Sequence, residues 1–388
     1  MGEMIEMHKL IFDTIDSLAE KYIGVWEDIC NIESPTDEKR GVDAVCGYIT
    51  ELCRVLGFSV EVCRQAVSGD VAAITMNPDA DGAPICLSGH MDTVHPVGSF
   101  GTPAVKKDDE KIYGPGVCDC KGGIAGALLA MEALLSVGYR ERPVRLILQS
   151  DEETGSKSSG LDTVRFMCDQ ARDAAAFLNL EGYSEGKACI ARKGIATFTF
   201  TVTGIEAHSS NCAKKGANAI IDAAHKMIML DKIKDDGGLT CNCAVIEGGT
   251  VVNTVPGKCV FRVNVRYASR EQYEWISAYV KDVAKTVHVE GCTCTVEETG
   301  SRIAMELCDR NIELLEKMNR AFEQNGLPRL EGEKRKGGSD AAYVTDAGIP
   351  CIDSLGVRGG DIHSPDEYAY LSSLADCAKR IAAVVICL

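Results

Sequence analysis

Acidic residues and histidines follow apolar runs at four places along this sequence, and these residue types can bind metal ions. The apolar runs are typical of short buried strands, and α/β proteins build their sites from polar groups at strand ends. Several such ends meeting at one place would form a metal-binding constellation. The four segments are L-S-G-H-M-D-T-V-H-P at 87–96, D-E-E-T-G at 151–155, N-L-E-G at 179–182 and D-I-H-S-P at 361–365.

The first of these segments places His90 and Asp92 one residue apart, so both side chains point the same way in an extended chain. A neutral imidazole and a carboxylate on one face can bind a cation such as zinc. Asp119 follows in the sequence and precedes two glycines, which let the N-terminus of a helix at 125–135 pack close to the site. A phosphate-binding loop is excluded because no Ser or Thr follows Lys121.

The adjacent pair Glu152-Glu153 follows the predicted buried strand at 144–150. Two neighbouring glutamates cannot both point at one metal ion from regular structure. We therefore expect one of them to bind metal and the other to face the substrate, where an unligated carboxylate can act as a general base.

The order of predicted elements indicates an α/β protein of two domains. Helices and buried strands alternate up to residue 192 and again from 305 to 388, which we assign to one catalytic domain. Residues 193–304 read as β-α-β-β-α-β, the pattern of a ferredoxin-like domain inserted into the first. A chain of 388 residues is long enough for two separate cores.

Composition excludes several classes of partner. A net charge of −16 argues against a nucleic-acid-binding surface and against a role at a membrane surface. The charged N-terminal segment lacks the apolar core of a secretory signal, and we find no transmembrane run. We therefore expect a cytoplasmic protein whose nineteen cysteines stay reduced.

Taken together, the motifs resemble those of the zinc-dependent aminoacylase/carboxypeptidase metallopeptidase family. The similarity is greatest to its glutamate carboxypeptidase branch, which hydrolyses folates. The motifs run in the family's order and cover nearly the whole chain. They are S-G-H-M-D-T-V, Y-G-P-G-V-C-D-C-K-G-G, D-E-E-T-G-S, G-I-E-A-H-S-S, V-V-N-T-V-P, V-R-Y-A, G-G-S-D-A-A-Y and D-S-L-G-V-R-G-G-D-I-H-S, between residues 87 and 364.

The resemblance implies a di-zinc aminopeptidase-like catalytic domain, with a mixed sheet flanked by helices, and an inserted ferredoxin-like domain for dimerisation that acts as a lid. It also implies two divalent metal ions, most simply Zn²⁺, although Co²⁺ or Mn²⁺ would suit the same ligands. His90 and Glu181 would bind one ion, Glu153 and His363 the other, and Asp119 both.

Other roles follow from the same resemblance. Glu152 would be the general base, Asp92 would orient His90, and His208 would stabilise the transition state in a partner chain's site. The resemblance places no ligand at His95, and it implies a cis peptide bond between Asp119 and the next residue. The expected substrate-binding residues are Asn253, Arg266, Arg302, Gly337 and Gly338.

The resemblance implies a homodimeric hydrolase that cleaves an amide adjacent to a free carboxylate in a small peptide or N-acyl amino acid. An alternative is a deacylase of N-acyl amino acids, of the acetylornithine or succinyl-diaminopimelate type. A third possibility is a non-catalytic relative that acts as a binding protein. Loss of a metal ligand or of the base would indicate that third class, and the sequence retains all of them.

Overall fold

The computed structural model describes residues 2–212, 214–235 and 238–388. These residues form helices α1 Gly2–Asn31, α2 Lys39–Val55, α3 Lys121–Ser136, α4 Asp162–Gln170, α5 Ala219–Asp231, α6 Arg270–Lys285, α7 Asp309–Gln324, α8 Ala341–Asp346 and α9 Ser373–Cys387. The strands are β1 Ser59–Cys63, β2 Val71–Met76, β3 Ile85–His90, β4 Lys106–Lys107, β5 Lys111–Tyr113, β6 Val144–Gln149, β7 Ala176–Asn179, β8 Lys187–Arg192, β9 Gly194–Thr203, β10 Ala207–His208, β11 Thr240–Gly248, β12 Thr254–Val255, β13 Lys258–Tyr267, β14 Thr293–Arg302, β15 Glu331–Arg335, β16 Cys351–Ile352, β17 Gly359–Gly360 and β18 Tyr368–Tyr370.

The chain divides into two compact units. The first unit comprises Met1–Ile190, Leu307–Lys334 and Ser339–Leu388, and the second comprises Ala191–Glu306 and Arg335–Gly338. The short segment 335–338, which the sequence led us to place with 305–388, belongs with the second unit. The reason is local, because the Lys193 N–H donates to the Arg335 carbonyl oxygen over 3.1 Å. That the units act as a catalytic domain and a dimerisation or lid domain stays a prediction.

The first unit is built on a six-stranded mixed sheet with the order β1-β2-β6-β3-β7-β16. Strands β6, β3, β7 and β16 are parallel neighbours, whereas β1 and β2 pair antiparallel. Every residue of β2, β3 and β7 is buried, which explains why these strands read as continuous apolar runs. The expected α/β fold is confirmed. The parallel strands also bring the residues that follow them to one edge of the sheet.

Helices cover this sheet, and the N-terminus of one of them, α3, lies close to the strand ends. Helices α1, α3 and α9 pack against one another, and α3 contacts β3. The helix begins at Lys121, four residues before the predicted start. A Cβ atom at Gly123 would lie only 2.2 Å from the Leu180 carbonyl oxygen, so glycine is required for this approach. The predicted close packing of the helix N-terminus is therefore confirmed.

The second unit contains a four-stranded antiparallel sheet with the order β11-β13-β9-β14. Helices α5 and α6 contact each other and pack against it, giving the predicted β-α-β-β-α-β arrangement. Buried and partly buried residues alternate along β9, as expected for a strand with one covered face. The rings of Phe200 and Phe261 stack in its core, with centroids 4.6 Å apart. A short ladder pairs β10 with β12.

The sequence patterns did not predict several of the short strands, and they predicted one strand that is longer than the one in the structure. The predicted strand at 349–355 contains only Cys351–Ile352 in strand conformation. Among the helices of the described residues, none has the length and apolar character that a membrane crossing requires.

Candidate metal centre

His90 is the last residue of β3 and lies buried among acids. Its Nδ1 atom is 2.9 Å from the Asp92 carbonyl oxygen, which can only accept, so Nδ1 carries the proton. The Nε2 atom lies on the other side of the ring, where a bound cation would take the place of its proton. There it lies 3.2 Å from Asp119 Oδ1 and 3.7 Å from Glu181 Oε1. A ring nitrogen fixed in this way is typical of a metal-binding histidine.

Asp119 faces two imidazoles with its two carboxylate oxygens. Oδ1 lies 3.2 Å from His90 Nε2, and Oδ2 lies 3.0 Å from His363 Nε2. Burial alone would raise the pKa of Asp119, but hydrogen bonds with His363 and His90 lower it well below its ordinary value. The peptide bond from Asp119 to Cys120 is cis, which confirms the prediction for this position. This geometry suits a carboxylate shared between two cations.

Glu153 and Glu181 occupy opposite ends of this cluster. Glu153 lies on the turn that follows β6, and its Oε2 atom is 3.2 Å from His363 Nε2. Burial raises the pKa of Glu153 to about 7, and the charges of Asp119 and Glu152 add to that effect. Glu181 follows β7, and burial and the charge of Asp119 raise its pKa well above the ordinary value.

His363 completes the far end of the cluster from the loop between β17 and β18. Hydrogen bonds with Asp119 and Glu153 raise the pKa of this half-exposed imidazole to about 10. At neutral pH without a cation, the imidazole is therefore held in its charged form by the acids around it.

Asp92 connects His90 to the glutamate turn. Its fully buried carboxylate accepts hydrogen bonds from the Thr36 hydroxyl over 2.7 Å and from the N–H groups of Glu152 and Glu153 over 3.2 and 3.1 Å. Its Oδ1 is 3.4 Å from His90 Nδ1. Burial acts to raise its pKa, but hydrogen bonds from His90 and Thr36 lower it. Asp92 is thus ionised and orients both sides of the cluster.

The donor set fits divalent cations. Ligand atoms of His90, Asp119 and Glu153 lie within 4.8 Å of one another, as do those of His90, Cys120 and Glu181. Imidazole nitrogens and carboxylate oxygens are the ligands of catalytic zinc sites. Burial and the charge of Asp119 raise the pKa values of Glu153 and Glu181, and bound cations would neutralise these buried negative charges.

Residues 86–386 match Peptidase family M20/M25/M40. The chain belongs to this family. It is 28% identical over 355 residues to carboxypeptidase G2 from Pseudomonas, which covers 90% of this chain and 84% of that protein. It is 24% identical over 365 residues to succinyl-diaminopimelate desuccinylase from Gluconacetobacter diazotrophicus, covering 89% of this chain and 91% of that protein. The predicted family resemblance is confirmed, and the chain is a metal-dependent hydrolase of the peptidase and amidohydrolase kind.

Solved structures support the same fold. Aminopeptidase PepT from Bacillus cereus superposes with a TM-score of 0.79 at 24% identity, covering 95% of this chain and 98% of that one. An M20 family metallo-carboxypeptidase from Sulfolobus solfataricus gives 0.72 at 17% identity, covering 94% and 98%. A dinuclear metal-binding M20 peptidase from Bacillus subtilis gives 0.71 at 14% identity, covering 96% and 98%. At these identities the likeness concerns the fold alone.

In this M20 chain, the predicted transition-state stabiliser His208 and the predicted substrate-binding residue Asn253 lie close together in the second unit. His208 ends β10 and pairs in register with Thr254 of β12, while the adjacent Ser209 N–H donates to the Asn253 carbonyl oxygen over 2.9 Å. The imidazole of His208 is exposed, and its Nδ1 lies 2.9 Å from the Ser210 hydroxyl. Neither His208 nor Asn253 belongs to the metal-donor clusters found in the described residues.

The predicted arginines and glycines also lie in the second unit. Arg266 is partly buried on β13, donates to Asn264 Oδ1 over 3.2 Å, and has its pKa lowered by burial. Arg302 is buried at the end of β14. A Cβ atom at Gly338 would lie 2.6 Å from Arg302 Cδ, so this glycine makes room for the arginine. Gly337 accepts a hydrogen bond from Arg192 through its carbonyl oxygen over 3.3 Å.

Sequence reasoning missed Glu367, whose buried carboxylate lies next to the turn that carries Asp119. The resemblance placed no ligand at His95, and in the structure its Nε2 atom lies 2.9 Å from Glu367 Oε2. No local pattern marked Glu367, because antiparallel pairing of β18 with β5 is what brings it to this turn.

Proposed function

We propose that this chain is a carboxypeptidase-like hydrolase with two metal ions, which cleaves an amide next to a free carboxylate. The observation that carries the proposal is the position of Asp119, whose two oxygens each face one imidazole. His90 and Glu181 would hold one ion, His363 and Glu153 the other, and Asp119 both. Zinc is the proposed metal. When bound, the ions would supply Lewis acidity for the scissile carbonyl and lower the pKa of water.

The chain's own residues would then move one proton. Glu152 is buried on the turn after β6, and its charge adds to the effect of burial in raising the pKa values of Glu153 and Glu181. We propose that Glu152 accepts a proton from the attacking water and delivers it to the leaving amine nitrogen. Asp92 holds the Glu152 N–H over 3.2 Å and so fixes the backbone from which this base projects.

Roles in substrate binding are proposed for the second unit. Arg266 and Arg302 would bind the free carboxylate, since a guanidinium can donate two parallel hydrogen bonds to it. Asn253 would donate an amide hydrogen bond to the substrate, and Gly337 and Gly338 would allow its close approach. His208 would stabilise the developing oxyanion in the site of a partner chain.

Deacylation of an N-acyl amino acid is the second candidate, favoured by the similarity to succinyl-diaminopimelate desuccinylase. A panel of folyl-glutamate, dipeptides and N-acyl amino acids, assayed with zinc, cobalt and manganese, separates the two. Highest kcat/KM on an N-succinyl or N-acetyl substrate would favour the deacylase. Inactivity on the whole panel with metal bound would overturn both.

The mechanism is tested with Glu152→Gln, which removes the proton acceptor but keeps the size of the side chain. We expect two bound metal ions per chain and a kcat lower by about 10²–10⁴-fold, the usual contribution of a general base. Glu141→Gln, at an exposed acid, is the matched control and should keep full activity. Near-native kcat in Glu152→Gln would place the base elsewhere.

We also propose a homodimer formed through the second unit. Strand β11 is an edge of its sheet and exposes Val245 and Ile246, while α5 exposes Ile221 and Ile228. An exposed apolar edge strand is a template for pairing with another chain. Ile246→Lys should shift the sedimentation coefficient from dimer to monomer, whereas Val55→Lys, an exposed valine of the first unit, should not. A monomeric wild-type protein would refute the dimer.

The cytoplasm is the proposed location. All nineteen cysteines are free in the structure, and most are buried, which suits a reducing compartment. Fractionation of cells expressing the tagged protein tests this assignment.

A further inference from the structure

A single buried carboxylate gathers the backbone of the turn that carries Asp119. Glu367 is 1% exposed, and its Oε1 accepts the N–H groups of Cys118 over 2.9 Å and of Asp119 over 3.0 Å. Its Oε2 accepts the Gly116 N–H over 3.1 Å and lies 2.9 Å from His95 Nε2. Both oxygens of Glu367 are thus used by one turn and one imidazole.

The turn needs such a partner because it is buried and irregular. Gly116 has a φ of +73°, and the backbone around it aims several N–H groups in one direction. Converging N–H groups form a concavity that binds an anion, and leaving them unpaired inside a protein would be costly. Here the anion is the protein's own carboxylate. On the same turn, the Val117 carbonyl oxygen accepts from Trp26 Nε1 over 3.1 Å.

His95 holds the carboxylate in its place. The imidazole is buried, and its Nε2–H donates to Glu367 Oε2, so its ring cannot serve as a ligand at that atom. The imidazole ring of His95 also packs against the ring of Phe100 in a T-shaped contact, with the ring centroids 4.9 Å apart. This histidine is therefore part of the support of the turn.

We infer that Glu367 and His95 form a positioning pair that fixes Asp119 for metal binding. The inference rests on the proposed role of Asp119 as the shared ligand. The direction of the Asp119 side chain follows from its backbone, which Glu367 holds through the Asp119 N–H itself. A carboxylate that must face two imidazoles at 3.2 and 3.0 Å tolerates little rotation of that backbone. Neither member of the pair belongs to the donor clusters found in the described residues.

The test is the metal affinity of Glu367→Gln, measured by calorimetry with zinc on the metal-free protein. The amide oxygen can still accept from Cys118 and Asp119, but the amide NH₂ would face the Gly116 N–H, two donors without an acceptor. We expect zinc affinity to fall about 10–100-fold, as for other residues that orient metal ligands. The visible spectrum of the cobalt-loaded protein should change as well, because the ligand geometry is altered.

Asp222→Asn is the matched control. Asp222 is an equally buried carboxylate in the second unit, where it accepts the N–H groups of His288 over 2.8 Å and Val289 over 3.0 Å and pairs with Lys226. Its substitution should lower the melting temperature and leave zinc affinity and the cobalt spectrum unchanged. The comparison separates a positioning role from general destabilisation.

A folded Glu367→Gln protein with wild-type zinc affinity and cobalt spectrum overturns the inference. If Glu367→Gln does not fold, His95→Phe decides, since it removes the imidazole donor to Oε2 and leaves the Gly116 N–H as the other donor. Weaker zinc binding then supports the pair, and wild-type binding refutes it. Asp119→Ala distinguishes failure of the positioning pair from failure of the proposed ligand set. If that variant keeps both metal ions, the proposed ligand set itself fails, whatever Glu367 does.

Discussion

The Glu152 N–H donates to Asp92 Oδ1 over 3.2 Å, so the acid that orients the histidine at the end of β3 also fixes the residue proposed as the base. One buried carboxylate therefore joins the proposed metal ligand and the proposed base, at the ends of two neighbouring parallel strands. This relationship makes Asp92 a residue whose loss should affect both functions.

Asp92→Asn should weaken both metal binding and turnover. The asparagine oxygen can accept only on one side, so either the Glu152 N–H or the Glu153 N–H would face an amide NH₂. We expect zinc affinity to fall about 10–100-fold, as for other partners of metal-binding histidines. We also expect kcat to fall when zinc is saturating. Asp108→Asn, an exposed acid that accepts two backbone N–H groups, is the control and should leave both quantities unchanged. Unchanged kcat at saturating zinc would separate Asp92 from the base.

Glu153 should make the metal-free protein less stable as pH rises. Its folded pKa of about 7 lies above its ordinary value of 4.5, so between these values the folded state binds more protons than the unfolded state. Stability from this group is present in full below about pH 4.5 and is lost as pH rises through about 7. Glu153→Gln, which cannot ionise, should therefore match the wild type at pH 5 and melt at a higher temperature at pH 8.

Zinc should reverse that order. A cation neutralises the Glu153 charge and binds the folded state, so saturating zinc should raise the wild-type melting temperature at pH 8 more than that of Glu153→Gln. Differential scanning calorimetry at both pH values, with chelator and with zinc, measures all four conditions. A metal-free wild type that is no less stable than Glu153→Gln at pH 8 would contradict the prediction.

The main sheet and the strand-end site could be predicted because they depend on local patterns. Apolar runs predicted β3, β6 and β7. Of the polar residues at or just after the ends of these strands, His90 shares one donor cluster with Glu153 and another with Glu181. Glu367 could not be predicted in this way. It reaches the turn at Gly116 through pairing between β18 and β5, strands that lie far apart in the sequence. The hydrophobic pattern of the sequence does not indicate a contact between two segments so far apart.

The placement of 335–338 shows the same limit. Glycines at 337 and 338 predicted a loop of the first unit, but their neighbours are arginines of the second unit. Which unit a short irregular segment joins depends on backbone hydrogen bonds, such as that from Lys193 to Arg335, rather than on composition.

Arg266→Ala should raise KM for substrates with a free carboxylate. Loss of hydrogen bonds to a charged group costs about 1.5–3 kcal/mol, which is roughly 10–100-fold in kcat/KM. On the matching carboxamide substrate, which lacks the charge, the same variant should lose much less. Arg262→Ala, at an exposed arginine of the same strand, is the control and should behave as wild type on both substrates. An equal loss on carboxylate and carboxamide would show that Arg266 acts through structure.

His208 should act across the dimer. His208→Ala and Glu152→Gln are each expected to be nearly inactive, because one lacks the donor to the oxyanion and the other lacks the base. A mixed dimer has one site with both groups intact if His208 serves the partner chain, so mixing the two variants should restore part of the activity. His288→Ala, at another exposed histidine of the second unit, should be active alone. Subunit exchange between the two variants is monitored by fluorescence energy transfer between labelled chains. If labelled chains exchange and no activity returns, His208 acts within its own chain or has no role in catalysis.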